Sequence, residues 1–531
     1  MHFLIHQCID DWAQRQPDAP AIGFLDESLT YAQLATASTA LATQLLELGV
    51  KSHDRIGIYM DKRLQTPIAM YGIMKAGAAY VPLDPSAPVE RIAFVLNDCG
   101  IRHLITENSK LKKIGAITAQ YDGLESLLGI SRETNLPLKS VSWQQIESNT
   151  LKVSSRKIIS DDLAYIIYTS GSTGTPKGIM HTHSSGLAFA FWATREYGLQ
   201  ANDRLSNHAP LHFDLSIFDY FAAAVAGACV VIIPDDYTKL PPSYSKLIAD
   251  QKITVLFTVP FALIQLLFNG VLEQRDLSEL RWIIFGGEPF PVKHLRALMA
   301  HLPDARFDNM YGPAEVNGVT HFTVESIPDD AASIPIGGMS NIADALVLDK
   351  NNLPVAMGDP GELLVRSPTM MHGYWGQPEL TAKSMFRQSL FDCFDTVYYR
   401  TGDLVVENDD GIYEFLGRKD RQIKIRGYRV ELDEVETALV SHPQVKEGVA
   451  FAVPTAQGSQ QIQVAVIAKQ GEQLSVENLT AFLKTRLPWY AVPSEQEVCL
   501  QFPRTTTGKI DRRCLRQQAI DSHQFNEDTK I

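Results

Sequence analysis

Residues 163–168, Leu-Ala-Tyr-Ile-Ile-Tyr, form an apolar run that opens directly onto Thr169-Ser-Gly-Ser-Thr-Gly-Thr-Pro-Lys177. The run reads as a short buried strand, and the loop that follows is built almost wholly of glycine and hydroxyl residues, closed by a lysine. Gly171 and Gly174 allow positive φ and close approach of an anion to the backbone. Free N–H groups, hydroxyls and one ammonium are what a polyphosphate requires. The Walker pattern is absent, because no Gly-Lys-Ser/Thr ending follows the first glycine at the required spacing. A plain surface turn is the bland alternative, but it has no reason to combine several hydroxyls with a lysine after a strand. A strand feeding such a loop favours an α/β architecture.

The rest of the chain agrees with that class. Thr30 is placed to cap a helix in which Leu34, Ala37, Leu41 and Leu45 keep helical spacing up to Gly49. Residues 55–59 read as a strand, 65–75 as a helix ended by Gly77, and 78–85 as a strand closed by Pro85. Residues 255–261 and 282–285 are further β-like runs. Strands separated by helices predict doubly wound, mainly parallel sheets. Residues 107–160 are polar and weakly patterned, and are expected to form a surface region. With 531 residues, more than one domain is expected. A net charge of −13 argues against nucleic acid as the main partner. The six scattered cysteines suit a reducing cytoplasm rather than a disulfide framework. The N-terminus shows no signal-peptide pattern, and no apolar run is long enough to span a bilayer.

The stretch from Tyr168 to His183 closely resembles the phosphate-binding signature of the adenylate-forming superfamily, which comprises acyl-CoA synthetases, luciferases and the adenylation domains of nonribosomal peptide synthesis. Further segments resemble that family in its own order. These are Leu29-Thr-Tyr-Ala-Gln-Leu, Lys75-Ala-Gly-Ala-Ala-Tyr, Phe213-Asp214-Leu215-Ser216, Gly286-Gly-Glu-Pro289, Asn309-Met-Tyr-Gly-Pro-Ala-Glu315, Gly361-Glu-Leu-Leu-Val, Gly373-Tyr-Trp, Tyr399-Arg-Thr-Gly-Asp403, the run Gly417-Arg-Lys-Asp-Arg to Leu432, and Thr507-Gly-Lys509.

The resemblance implies a large N-terminal adenylation core, 1–419, of doubly wound sheets. A small, mobile α+β lid, 420–531, would follow and turn about Asp420. Thr169, Ser170, Gly171, Ser172, Thr173, Gly174 and Lys177 would cradle the phosphates of ATP. Gly287, Glu288, Pro289, Asn309, Tyr311 and Gly312 would border the adenine, Asp403 would accept the ribose hydroxyls, and Arg418 would reach ribose or phosphate. Glu315 would hold Mg2+ and Lys509 would be the catalytic lysine. Ala314 departs from the family's threonine, which leaves Thr169, Thr173 or Lys509 to supply the missing donor.

An aspartate between apolar neighbours needs a cation or several donors, so taken alone Asp214 reads as a capping or core-bonded acid. The resemblance makes it the partner of a substrate α-amino group, a group that acyl- and aryl-CoA ligase substrates lack. Motif by motif, the specificity positions fall on Phe213, Asp214, Leu215, Phe218, Phe257, Ile283, Phe285, Met310, Gly318 and Val319. That lining is apolar and favours a compact substrate. Residues 287–299 resemble stand-alone prolyl adenylation enzymes, which load proline onto a separate phosphopantetheinylated carrier protein. The D-alanine–carrier ligases are the nearest rival. No carrier domain follows the small domain, so loading is expected in trans. Residues 517–531 read as a polar tail.

Overall fold

The structure, a computed structural model, describes residues 2–132, 134–149, 157–171, 175–391, 393–455, 458–504 and 510–528, with backbone alone at 390 and 522–528. It divides into two compact units. The first holds Met1–Pro85, Ala93–Tyr168 and Gly178–Lys419. The second holds Asp420–Ile531 together with Ser86–Ile92 and Thr169–Lys177.

The first unit contains two large sheets. In the eight-stranded sheet, Arg55–Tyr59 lies between Ala79–Pro82 and His103–Thr106, parallel to both. Leu163–Thr169 joins on the far side of Ala79–Pro82, also in parallel. The helices between these strands follow the expected local chemistry. Thr30 accepts a hydrogen bond from the Gln33 N–H, while the Gln33 side chain accepts one from the Thr30 N–H, closing a capping box at the start of Tyr31–Glu47. Leu34, Leu41 and Leu45 of that helix are fully buried.

Two features differ from the sequence reading. Residues 107–160 are not merely a surface region: Ser126–Leu128 and Lys139–Val141 extend the eight-stranded sheet in parallel, and Leu127, Val141 and Ile146 are buried. Each of these strands is three residues long, too short for alternation to show in sequence.

The second difference lies in the fourteen-stranded sheet. Its parallel half contains Cys229–Ile232, Arg204–Asn207, Val255–Thr258, Trp282–Gly286 and Arg306–Tyr311. From Thr320 to Arg418 the pairing turns antiparallel through Thr320–Val324, Gly337–Met339, Ile412–Arg418 and Phe394–Glu407. Asp403 lies inside the last of these.

Apolar layers cover both faces of the parallel half. One is shared with the eight-stranded sheet through the helices Tyr31–Glu47 and His183–Glu196. The other rests on Pro241–Asp250, Pro260–Asn269 and Val292–His301.

The second unit is α+β. Val445–Pro454 and Gln460–Ala468 pair antiparallel, and Glu495–Val498 adds in parallel. The helices Leu432–Val440 and Val476–Lys484 bury Val435, Leu439, Leu479 and Leu483 against this sheet. The helix Arg512–Asp528 places Leu515, Ala519 and Ile520 against a second cluster. Residues 517–528 are therefore helical rather than a tail. Gln517, Gln518 and Asp521 of this helix are exposed, which is why the stretch reads as polar.

Candidate active site

The phosphate loop leaves the middle of the eight-stranded sheet. A Cβ on Gly171 would lie 2.1 Å from the Thr175 carbonyl oxygen, so only glycine fits that turn. Within the second unit, Ser170 Oγ donates to the Arg429 carbonyl at 2.6 Å. Thr169 Oγ1 is buried and has no hydrogen-bond partner among the described residues, which suits a hydroxyl waiting for an anion. Ser172, Thr173 and Gly174 lie outside the described residues, as does Lys509.

Tyr311 closes the strand Arg306–Tyr311 and donates its phenol proton to Asp403. Arg418, the register partner of Asp403 on the adjacent strand, pairs with the same carboxylate. Burial and the adjacent carboxylate hold the Tyr311 phenol well above its usual pKa. Three residues expected at a nucleoside are thus brought together around one acid. The turn after Tyr311 is tight: a Cβ on Gly312 would stand 1.6 Å from the Asn317 carbonyl oxygen, and Asn317 has φ +54°. Gly287 has φ +90°. Glu288 accepts from the Phe261 N–H at 3.0 Å, Asn309 donates to the Pro335 carbonyl at 2.8 Å, and Pro289 is exposed.

Glu315 is fully buried, and its Oε1 accepts from the Tyr374 hydroxyl at 2.8 Å. His181 lies 2.9 Å from the Ala314 carbonyl oxygen through Nε2. A carbonyl only accepts, so that nitrogen carries the proton. Burial lowers the His181 pKa to about 4, so the ring is neutral. Ala314 itself packs in an apolar cluster with Ile179 and Val316.

Phe213, Asp214 and Leu215 are half-buried in the turn that starts the next helix, where the Ile217 N–H bonds back to the Asp214 carbonyl at 3.0 Å. That helix contains a π-turn, Phe218–Ala222, a rare form frequent at functional sites. Phe218 packs edge-on against Phe257 at 5.1 Å between ring centroids. A Cβ on Gly318 would meet Met310 Sδ at 2.6 Å and the Phe189 ring at 3.1 Å. Phe218, Phe257 and Met310 therefore share one apolar layer, with Gly318 packed against Met310. Val319 is buried in a different cluster, the one that holds Ala314.

Ile283 and Phe285, expected among the substrate-lining residues, do not join the layer of Phe218, Phe257 and Met310. Successive residues of a strand point to opposite faces, and these two face the other apolar layer, where Phe285 packs on Phe290 at 5.0 Å. The register aligns Phe257 with Ile284 and Met310 with Gly286. A Cβ on Gly286 would stand 4.0 Å from the Phe257 ring and 2.3 Å from the Met310 carbonyl oxygen. Ile284 and Gly286 are the residues on the face of Phe257 and Met310. The missed signal was the strand period counted from Phe257 across the parallel register.

Asp420 opens the second unit, and its carboxylate accepts from the Gln422 N–H at 3.2 Å.

With this geometry in place, the chain belongs to the AMP-binding enzyme family. The family model for AMP-binding enzymes matches residues 9–375, and that for their C-terminal domain matches residues 434–509. The chain is 34% identical to an L-proline–[L-prolyl-carrier protein] ligase of Pseudomonas fluorescens, over 97% of this chain and 99% of that one. It is 33% identical to an L-proline–[L-prolyl-carrier protein] ligase of Streptomyces coelicolor, over 92% of each chain. In fold it matches an amide bond synthetase of Marinactinospora thermotolerans with a TM-score of 0.85 at 24% identity, over 97% of this chain and 99% of that one.

Proposed function

We propose that this enzyme activates a small apolar amino acid, L-proline, as its adenylate and then passes the acyl group to the phosphopantetheine thiol of a separate carrier protein. The observation that carries the reading is Asp214 in the segment that leads into Phe218, whose ring packs on Phe257 in the apolar layer that also holds Met310. A carboxylate there greets the ammonium that every amino acid has, and the apolar lining accepts a side chain without charge. Full-length likeness to the proline–carrier ligases supports proline as the substrate.

In the first step a carboxylate oxygen of the amino acid attacks the α-phosphorus of ATP. The bond to the β-phosphate oxygen breaks, pyrophosphate leaves and aminoacyl-AMP remains. The nucleophile belongs to the substrate, so the protein contributes positioning and charge stabilisation. The loop Thr169–Lys177 holds the leaving pyrophosphate, Asp403 the ribose hydroxyls, and Lys509 the charge developing between carboxylate and α-phosphate. Glu315 suits Mg2+, which takes one or two carboxylates together with substrate phosphate oxygens. No cluster of three metal-binding side chains occurs among the described residues, and none is needed for that mode. In the second step the small domain turns about Asp420. The carrier thiol attacks the acyl carbon, AMP leaves, and the thiol proton goes to solvent.

The six cysteines are free and no helix among the described residues is long and apolar enough to cross a membrane, in keeping with a cytoplasmic enzyme. Amino-acid-dependent exchange of pyrophosphate into ATP, measured over a panel of amino acids, tests the reading. Exchange with D-alanine but not L-proline would replace the substrate. Exchange with no amino acid would remove the activity and favour an acyl- or aryl-CoA ligase.

A further inference from the structure

The segment Gly373-Tyr374-Trp375 has no part in the reaction described above. We propose that it is a strap tying the strand that leaves the phosphate loop to the Glu315 turn, and that Tyr374 is a positioning residue for the Glu315 carboxylate. The inference rests on the reading that Glu315 faces Mg2+.

One end of the strap is sewn to the exit of the phosphate loop. Gly373 and Tyr374 pair antiparallel with Met180 and Ile179. The His372 N–H donates to the Met180 carbonyl at 2.8 Å, and the Trp375 N–H to the Gly178 carbonyl at 2.7 Å. The Trp375 indole is fixed as well. Its N–H donates to the Asp98 carbonyl at 2.9 Å, and the Arg55 guanidinium lies 4.9 Å from the ring centroid. Gly373 has φ +143° and a Cβ there would meet Thr381 at 2.9 Å, so the bend into the strap requires glycine.

The other end is sewn to the Glu315 turn. The Met371 N–H donates to the Glu315 carbonyl at 2.7 Å, and the Thr369 hydroxyl to the Val316 carbonyl. His181, on the strand leaving the phosphate loop, holds the Ala314 carbonyl from the opposite side. The backbone on both sides of Glu315 is thereby tied to the strand that follows Lys177.

The side chain is fixed by a separate contact. The Tyr374 hydroxyl donates to Glu315 Oε1 at 2.8 Å and lies 3.3 Å from the Tyr399 hydroxyl, in a buried row of three groups. A hydrogen bond to one oxygen sets the plane of a carboxylate. Groups that orient a metal ligand in this way typically contribute tenfold or more to metal affinity. The strap thus holds the acid for Mg2+ against strand residues 178–182, which follow the pyrophosphate cradle.

The test measures ATP binding by calorimetry over a Mg2+ series, without amino acid, for the wild type, Tyr374→Phe, Tyr399→Phe and Glu315→Gln. Tyr374→Phe keeps the ring and loses the hydroxyl. The Mg2+ concentration giving half-maximal ATP binding is expected to rise about tenfold, with ATP affinity in chelator unchanged. Tyr399→Phe, which loosens the Tyr374 hydroxyl without touching Glu315, should shift the curve less and in the same direction, and it carries the test if Tyr374→Phe does not fold. A wild-type Mg2+ profile in both tyrosine variants, with Glu315→Gln shifted, overturns the strap's role and leaves the Mg2+ reading intact. A wild-type profile in Glu315→Gln removes the Mg2+ reading and the inference with it. A uniform loss of ATP affinity with and without Mg2+ in Tyr374→Phe would mark the hydroxyl as structural only and also overturn the proposal.

Discussion

Replacing Phe257 or Phe285 by alanine tests which face of the parallel sheet meets the substrate. The two phenylalanines sit on adjacent strands, and Phe285 pairs in register with Thr258, one residue beyond Phe257. Adjacent parallel strands share faces at equal register, so the two rings point in opposite directions. Phe285 is fully buried, packs edge-on against Phe290, and belongs to the layer of Leu263, Leu295 and Phe307. Its loss should destabilise the protein by about 3–5 kcal/mol, the usual cost of removing a core phenylalanine. Selectivity should not change. Phe257 is 5% exposed and packs on Phe218, four residues after Asp214, in the other apolar layer. A single methylene in an apolar pocket is worth about 1–3 kcal/mol, or roughly 10–200-fold in kcat/KM. Phe257→Ala removes a whole ring, so the preference for proline over its six-membered homologue pipecolate should fall at least about tenfold. Pyrophosphate exchange with each imino acid gives the ratio, and urea unfolding gives the stability. If Phe285→Ala moves the ratio as far as Phe257→Ala does, the assignment of faces is wrong.

Three further outcomes follow from named groups. Asp214→Asn should raise the KM for the amino acid by roughly thirtyfold or more, about 2 kcal/mol, while ATP binding stays as in the wild type; an unchanged amino-acid KM would remove its role. Lys509→Ala should slow adenylation by about 10²–10³-fold yet still form the thioester from supplied prolyl-AMP; loss of both half-reactions would refute the division of labour. His181, His183 and His208 are buried, and burial lowers their pKa values to about 4, 3 and 3. The unfolded chain protonates these rings near pH 6.5 while the folded protein keeps them neutral, so below that pH the unfolded state binds more protons and stability falls with pH. For His181 alone the fall approaches about 3 kcal/mol by pH 4. Urea midpoints should drop between pH 7 and 5, and less steeply in His181→Gln; equal slopes in the two proteins would contradict the assignment.

The parts legible in sequence were those whose chemistry is local. Thr30 and Gln33 form a cap within one turn, and the glycine loop follows its strand without a break, so neither needs knowledge of distant residues. The faces of Trp282–Gly286 were not legible. This strand is buried on both sides, and Trp-Ile-Ile-Phe shows no polar alternation from which to choose a face. Only its register with Phe257 and Met310 decides that Ile284 and Gly286, not Ile283 and Phe285, share their face. The strap was hidden for a related reason. Gly373–Tyr374 is a two-residue strand whose partner lies nearly two hundred residues earlier, and no periodicity reports such a pairing.

The two acids proposed to meet the two substrates are held differently, and the difference bears on where discrimination can arise. Asp403 is 4% exposed and already takes a guanidinium from Arg418 and a phenol proton from Tyr311. Its desolvation is complete before any ligand arrives, so a ribose exchanges one set of donors for another and gains chiefly from geometry that is already in place. Asp214 is half-buried between Phe213 and Leu215 at the start of a helix that then widens into a π-turn carrying Phe218. On the proposed reading, an ammonium arriving there would cover the acid and bring the substrate side chain towards Phe218 in the same movement. Charge recognition and shape recognition are coupled through one short segment of chain. A change in the π-turn should therefore alter amino-acid binding while leaving the nucleotide side, anchored on other strands, as it was.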